Sequence, residues 1–194
     1  MSLSPEQAST ALNDIASAQR RVAIFTGYQR GAPQFWLWGT VWLVGYSATE
    51  FLPQYAGWAW LALNVVGFAT AAWLARAGAD PASAAGAVAS STAPGNAHAR
   101  HVLYLGLAFL LFIVATFVVF SPTQAQSGAF PALLMGFAYS VIGIWGGIRW
   151  LAAGISLSVF TLVGYLYVPQ HFMLWMAVFG GGTLIASGFW MKAR

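Results

Sequence analysis

The chain contains no cysteine, which excludes a disulfide, a thiolate nucleophile, a Cys-ligated zinc and a Cys-held iron–sulfur centre, and leaves the redox compartment unread. Charge is nearly as scarce. Only 4 residues of 194 are acidic and 8 are Lys or Arg, a charged share of 6%, where a soluble domain carries about 25%. Such a chain cannot cover a water-facing surface. Histidine numbers only three, His98, His101 and His171, too dispersed for bis-His haem ligation and without further Cys or carboxylate ligands for zinc. No Gly-rich loop follows a strand, and Gly146-Gly147 lies in a hydrophobic stretch, so no phosphate-binding loop is present. Glu6, Asp14 and Asp80 belong to polar segments, which leaves Glu50 as a lone carboxylate without a paired base. The expectation is a protein that is not an enzyme and that carries no metal and no cofactor.

What is abundant is apolar. Hydrophobic residues make up 59% of the chain, gathered in stretches at Phe35–Phe51, Trp58–Leu74, Val102–Phe120, Phe130–Ile148, Leu151–Tyr167 and Phe172–Trp190. Each is close to the ~20 residues a helix needs to cross a ~30 Å hydrocarbon layer. The basic residues alternate between the gaps. Arg20, Arg21 and Arg30 precede the first stretch, Arg76 and Arg100 lie between the second and third, Arg149 divides the fourth from the fifth, and Lys192 and Arg194 follow the sixth. The other three connections carry none. Basic residues beside helix ends stay in the cytoplasm, so both termini face inward and the chain forms three outward-pointing hairpins in a bacterial-type cytoplasmic (inner) membrane. The net charge of +4 is spread thinly along the inner segments, which suits anionic lipid and not nucleic acid. The predicted fold is therefore all-α: a polytopic membrane protein of six transmembrane helices in three antiparallel hairpins.

A short amphipathic helix precedes the first span. Ser4-Pro5-Glu6-Gln7 reads as a helix start, and Leu12, Ile15, Val22 and Phe25 recur at three- or seven-residue steps. Gly27, Gly31 and Pro33 are expected to interrupt it. Residues 1–34 are thus a cytoplasmic helix lying along the inner membrane surface or docking a partner, 35–76 the first hairpin, 77–100 a flexible Ala/Ser/Gly/Pro-rich linker, and 101–194 a four-span unit. Each outer turn carries a proline: Phe51-Leu52-Pro53-Gln54-Tyr55, Phe120-Ser121-Pro122-Thr123-Gln124 and Tyr167-Val168-Pro169-Gln170-His171. They suggest one hairpin used three times. In outline this resembles the HdeD-type bacterial acid-resistance membrane proteins, a likeness of architecture alone that rests on no motif and assigns no site residue.

Four sets of residues are candidates for a role. Small residues mark close helix packing: Gly143 and Gly147 in the fourth span, Gly181 and Gly182 in the sixth, with Gly188 expected to matter less. The run Gly180–Gly182 also suggests a local break. Asn64, Tyr139, Ser140, Ser158 and Thr183 fall at mid-depth and could line a path for a small neutral solute. Of ten Trp, most sit near span ends as an interfacial belt, with a pigment or quinone pocket of Trp38, Trp42 and Trp145 as the sharper alternative. Glu50 and His171 lie at equivalent corners of the first and third turns, so they can meet, and the carboxylate would then favour the imidazolium in mildly acidic surroundings. The expected function is a sensing, accessory or scaffold component acting through helix packing and its cytoplasmic arm, with a small channel or transporter as the alternative. Its expected partners are the lipid bilayer and a homo-oligomer or another membrane protein.

Overall fold

The computed structural model describes residues 5–77, 104, 108 and 111–193, and among these every regular element is helical. Helix α1 is Pro5–Phe51 and, after a 3-10 turn at Pro53–Tyr55, α2 is Ala56–Ala77. A short apolar helix, α3, covers Leu111–Phe120. Then come α4, Gln124–Gly146, and α5, Ile148–Tyr167. The last helical run, α6, is Pro169–Lys192, opening on a 3-10 turn at Pro169–His171 and containing a π-helical segment at Met176–Gly181.

Among the described residues, four segments are long and apolar enough to cross a membrane: Pro53–Leu74, Gln124–Gly146, Ile148–Tyr167 and Pro169–Lys192. The C-terminal half of α1 is not among them, because Trp, Gly, Tyr, Thr and Glu50 interleave its apolar residues. Of the stretch expected as a flexible linker, Ala77 is the last residue of α2 and the rest lies outside the described residues, as do Asp80, His98 and His101.

Helix α1 is the axis of the bundle. Its contacts with α6 run from Gly31 beside Met191, through Trp36 beside Phe189 and Gly39 beside Ile185, to Glu50 beside His171, so the two helices are antiparallel. Against α4 the sequence is Tyr28 near Gly147, Phe35 on Tyr139 and Tyr46 on Gly128, again antiparallel. The core sits among α1, α4, α5 and α6, where Phe35, Leu157, Thr161, Phe172, Met176, Leu184 and Met191 are fully buried. Helix α2 touches the rest mainly through α1, and only 6% of its apolar window is buried against 50% for α6. Its Trp58, Leu61, Val65, Phe68 and Trp73 are large, apolar and exposed, as suits lipid contact.

The interruption expected near Pro33 is absent. Helix α1 runs unbroken for 47 residues, about 70 Å at a helical rise of ~1.5 Å per residue. Proline in a helix interior removes a donor and normally kinks or ends the helix, but here its neighbours are clamped: Ala32 and Phe35 are buried, and a Cβ at Gly31 would press on Trp150 and Met191. Tertiary packing overrides the local breakers. Before the clamp, residues 12–23 are exposed throughout, so the N-terminal part of α1 stands off the bundle as an arm.

Glycine placement also departs from expectation. Gly147 is not inside the fourth span but is the single residue linking α4 to α5, at φ +101° and ψ 166°, a conformation open essentially to glycine alone. Gly143 packs on the Leu151 backbone, and Gly181 on Gly39 and Leu43. Gly182, one residue further round the helix, would meet nothing within 4 Å and faces away from the packed seam. Gly188, expected to be tolerant, is buried against Trp36 and the Ala32 carbonyl. At Gly180–Gly182 the helix is not broken, because the π-helical segment absorbs the irregularity with its backbone still helical.

Candidate functional site

Two ends of the bundle carry the polar groups. At the first, three Pro-marked turns gather. Leu52 (φ −133°, ψ 56°) and Val168 (φ −129°, ψ 47°) adopt the same conformation ahead of their prolines. Each N–H closes the preceding helix, Leu52 on Ala48 at 2.8 Å and Val168 on Gly164 at 3.0 Å. A 3-10 turn then follows in both. The middle turn is built differently: Ser121 takes φ 43°, and Thr123 caps α4 through a reciprocal capping box with Gln126. First and third turns are therefore alike, and the second is not.

Between these turns lies an open cleft of about 420 Å³, walled by Thr49, Glu50, Pro53, Thr123, Gln124, Ala125, Pro169 and Gln170, with Phe172 and Met173 beneath. Its base is rigid. Phe172 and Met173 are buried, the Tyr46 hydroxyl donates to the Gly128 carbonyl at 2.8 Å, and Gly128 is small enough for Tyr46, Phe172 and Met173 to crowd against it. Thr49 donates to the Gly45 carbonyl at 2.8 Å and accepts from Trp60 Nε1 at 2.9 Å, pinning α2 to α1. Glu50, in the last turn of α1, reaches His171 on the cleft rim: Nδ1 of the imidazole lies 3.1 Å from Oε1 of the carboxylate. The Glu50 side chain is 18% exposed and that of His171 69%, so the carboxylate is set into the wall and the imidazole stands in solvent. Sequence position alone had brought these two together.

At the opposite end Arg149 joins three helices. One guanidinium nitrogen, Nη1, donates to the carbonyls of Trp190 at 2.7 Å, Met191 at 3.3 Å and Ala193 at 2.8 Å. These are the carbonyls left unpaired at the end of α6. The guanidinium also lies 5.1 Å from the Tyr28 ring centre and 5.8 Å from that of Trp190, and the Tyr28 hydroxyl accepts from the Arg149 backbone N–H at 3.4 Å. Sequence reasoning saw this arginine only as a topology marker, since its partners are carbonyls that any residue type supplies.

The five polar residues expected along a solute path do not line a common cavity among the described residues. Asn64 donates to Trp60 of its own helix at 2.7 Å. Ser140 and Ser158 lie at the α4–α5 seam, Ser140 against Gly154 and Ser158 against Gly136, each bonded back to its own helix, Ser140 to the Gly136 carbonyl at 2.8 Å and Ser158 to the Gly154 carbonyl at 3.0 Å. Tyr139 is buried in an aromatic cluster with Phe35 and Trp150, and Thr183 is half-buried on α6. None of them lines the cleft.

Trp38, Trp42 and Trp145 do not share a pocket either. Trp38 packs on Phe68, Trp42 is buried beside Tyr46, and Trp145 is 71% exposed on the outside of the bundle. Several Trp expected in an interfacial belt instead lock helices together, with Trp60 bonded to Thr49 and Trp175 to the Phe160 carbonyl at 2.8 Å. No family model, no curated protein and no solved structure matches the chain.

Proposed function

We propose that the protein is a non-catalytic sensing or scaffold component of a bacterial-type cytoplasmic membrane, crossing it six times in three hairpins with both termini in the cytoplasm. The first crossing is the 35–51 half of α1 and the third is residues 102–120. In this reading the cleft opens to the outside and the arm of α1 stands in the cytoplasm. The charge distribution supports the orientation: Arg149 and Lys192 lie at the end away from the cleft, while Glu50 and His171 lie beside it.

One observation carries the sensing reading. The helix that holds Glu50 in the cleft wall is the same unbroken helix that forms the exposed arm. A change of protonation or occupancy at the cleft thus acts on the end of a rod whose other end is presented to cytoplasmic partners. For the alternative, a channel or transporter for a small neutral solute, three of the polar residues that would line the path, Asn64, Ser140 and Ser158, are bonded to carbonyls of their own helices.

Because the chain lacks cysteine, single thiols test the orientation directly. Probes at Ala56, Ser127 and Gln170 should label from outside sealed cells, and probes at Ser17 and Ala193 should not. Vesicles containing the protein should show no added permeability to glycerol or urea. Outside labelling of Ser17 would refute the orientation, and a protein-dependent flux would move the function to transport.

A further inference from the structure

We propose that the cleft at the turn end binds a small organic cation bearing a primary ammonium group, with Glu50 as its counter-ion, and that protonated His171 competes with it for the same carboxylate. This deepens the sensing reading by naming what the cleft would sense, and it relies on that reading for its consequence in the cytoplasm.

The argument begins with charge. Glu50 is set into the wall with its side chain 18% exposed, and the His171 imidazole is its one ion-pair partner among the described residues. The other titratable groups on elements packed near this end are phenols, those of Tyr46, Tyr55, Tyr165 and Tyr167, and a phenol can supply no cation. Arg149 and Lys192 belong to the other end of the bundle. Helix ends do not change the sign. The N-termini of α2, α4 and α6 each bring about half a positive charge, and the C-termini of α1, α3 and α5 about half a negative one, leaving the full carboxylate charge as the surplus. With the imidazole neutral, the cleft is a partly desolvated anion without a cation.

Size and lining select the class of cation. A space of about 420 Å³ falls in the ~300–1,000 Å³ range of small-molecule sites and is far larger than a bare ion needs. Among the described residues no group of three or more His, Cys, Asp or Glu could hold a metal. Gln124 and Gln170 line the cleft with Glu50, and a glutamine side-chain carbonyl oxygen accepts hydrogen bonds from an N–H donor. A primary ammonium offers three such donors and a quaternary one none. Phe172 is the single aromatic residue lining the cleft, so the cage that recognises quaternary ammonium groups is missing. His171 is on the rim with its Nδ1 3.1 Å from Glu50. Once protonated, it supplies an internal cation for the same carboxylate. External cation and imidazolium are then alternatives, and the cleft reports the ratio of the two.

The test uses the purified full chain in detergent micelles, with propylammonium chloride as probe and tetramethylammonium chloride and 1-propanol as controls. Titration calorimetry and thermal unfolding at about pH 8 should show saturable binding and a matching rise in Tm for propylammonium only. Glu50→Gln should abolish both. Lowering the pH to about 5 should weaken binding by about tenfold, and His171→Gln should remove that pH dependence while keeping the binding seen at pH 8. Should Glu50→Gln unfold, the exposed Gln170→Lys change serves instead, because the new side chain brings its own ammonium to Glu50 and should displace the probe. No saturable binding at pH 8, equal binding of tetramethylammonium, undiminished binding in Glu50→Gln or Gln170→Lys, or a pH dependence that persists in His171→Gln would each overturn the proposal. Binding without any response of the cytoplasmic arm would leave it standing and refute the sensing reading instead. An arm that responds to outside pH with no amine binding would do the reverse.

Discussion

Replacing Gly154 by alanine should destabilise the bundle although it adds only one methyl group and improves helix propensity. On α5, a Cβ at Gly154 would strike the Gly136 carbonyl oxygen and would lie 2.5 Å from both the backbone nitrogen and the Oγ of Ser140. Two of these three atoms are backbone, so relief requires α4 and α5 to separate. At Gly182 the same methyl would meet nothing within 4 Å. Both changes gain the same propensity, up to ~1 kcal/mol, and the difference between them isolates the packing cost. Overpacking of this kind costs ~1–3 kcal/mol, so Gly154→Ala should be less stable than Gly182→Ala by about that amount. A rescue sharpens the test. Gly136→Ala clashes first with the Ser158 hydroxyl, then with the Gly154 carbonyl at 3.0 Å, so adding Ser158→Ala should recover part of its loss. Ser140→Ala should recover little of the Gly154→Ala loss, since the backbone obstacles remain. Unfolding by sodium dodecyl sulfate titration in mixed micelles, followed by tryptophan fluorescence, would measure all five variants. Equal stability of Gly154→Ala and Gly182→Ala would mean that α4 and α5 do not approach as described.

At the other end, Arg149→Gln removes the donor shared by three terminal carbonyls of α6 and should cost about 1.5–3 kcal/mol, with faster amide exchange in the last turn of α6 and unchanged exchange around Gly128. Gly147→Ala forces a side chain into φ +101° and toward Ile24 and Tyr28, for a loss of about 1–3 kcal/mol by the same titration. For Glu50 and His171, a double-mutant cycle of Glu50→Gln and His171→Gln should give a coupling of about 0.2–1 kcal/mol, as for an exposed pair. That coupling should be larger at about pH 5 than at about pH 8; strict additivity at both would show that the contact contributes nothing.

Local signals in the sequence reached some of this arrangement and missed the rest for identifiable reasons. Proline at positions 53, 122 and 169 marks where helices end because its ring acts within its own turn, and the depth of Glu50 and His171 relative to Pro53 and Pro169 puts them at one level without fixing whether they touch. Gly27, Gly31 and Pro33 carry an equally local signal, yet α1 continues through them, because what holds it is Trp150 and Met191, remote in sequence. The roles of Gly181 and Gly182 differ by one step of rotation around α6, which a Gly-Gly-Gly run does not encode and the π-helical segment shifts further. Arg149 hid its capping role because carbonyls have no sequence signature. The cleft was equally hidden: Pro53, Thr123 and Gln170 come from three separate turns, and only their convergence encloses a space.

The coupling of cleft to arm along α1 is tested most directly by distance measurement across the membrane. Spin labels on Ser17→Cys and Ala193→Cys, in vesicles with the cleft facing out and the interior buffered, report the position of the arm relative to the end of α6 by pulsed electron paramagnetic resonance. When only the outer solution is moved from about pH 8 to about pH 5, the distance distribution should shift, and with Glu50→Gln in the same background it should stay fixed. An unchanged distribution in the parent protein, or an identical shift in the Glu50→Gln variant, would contradict the account.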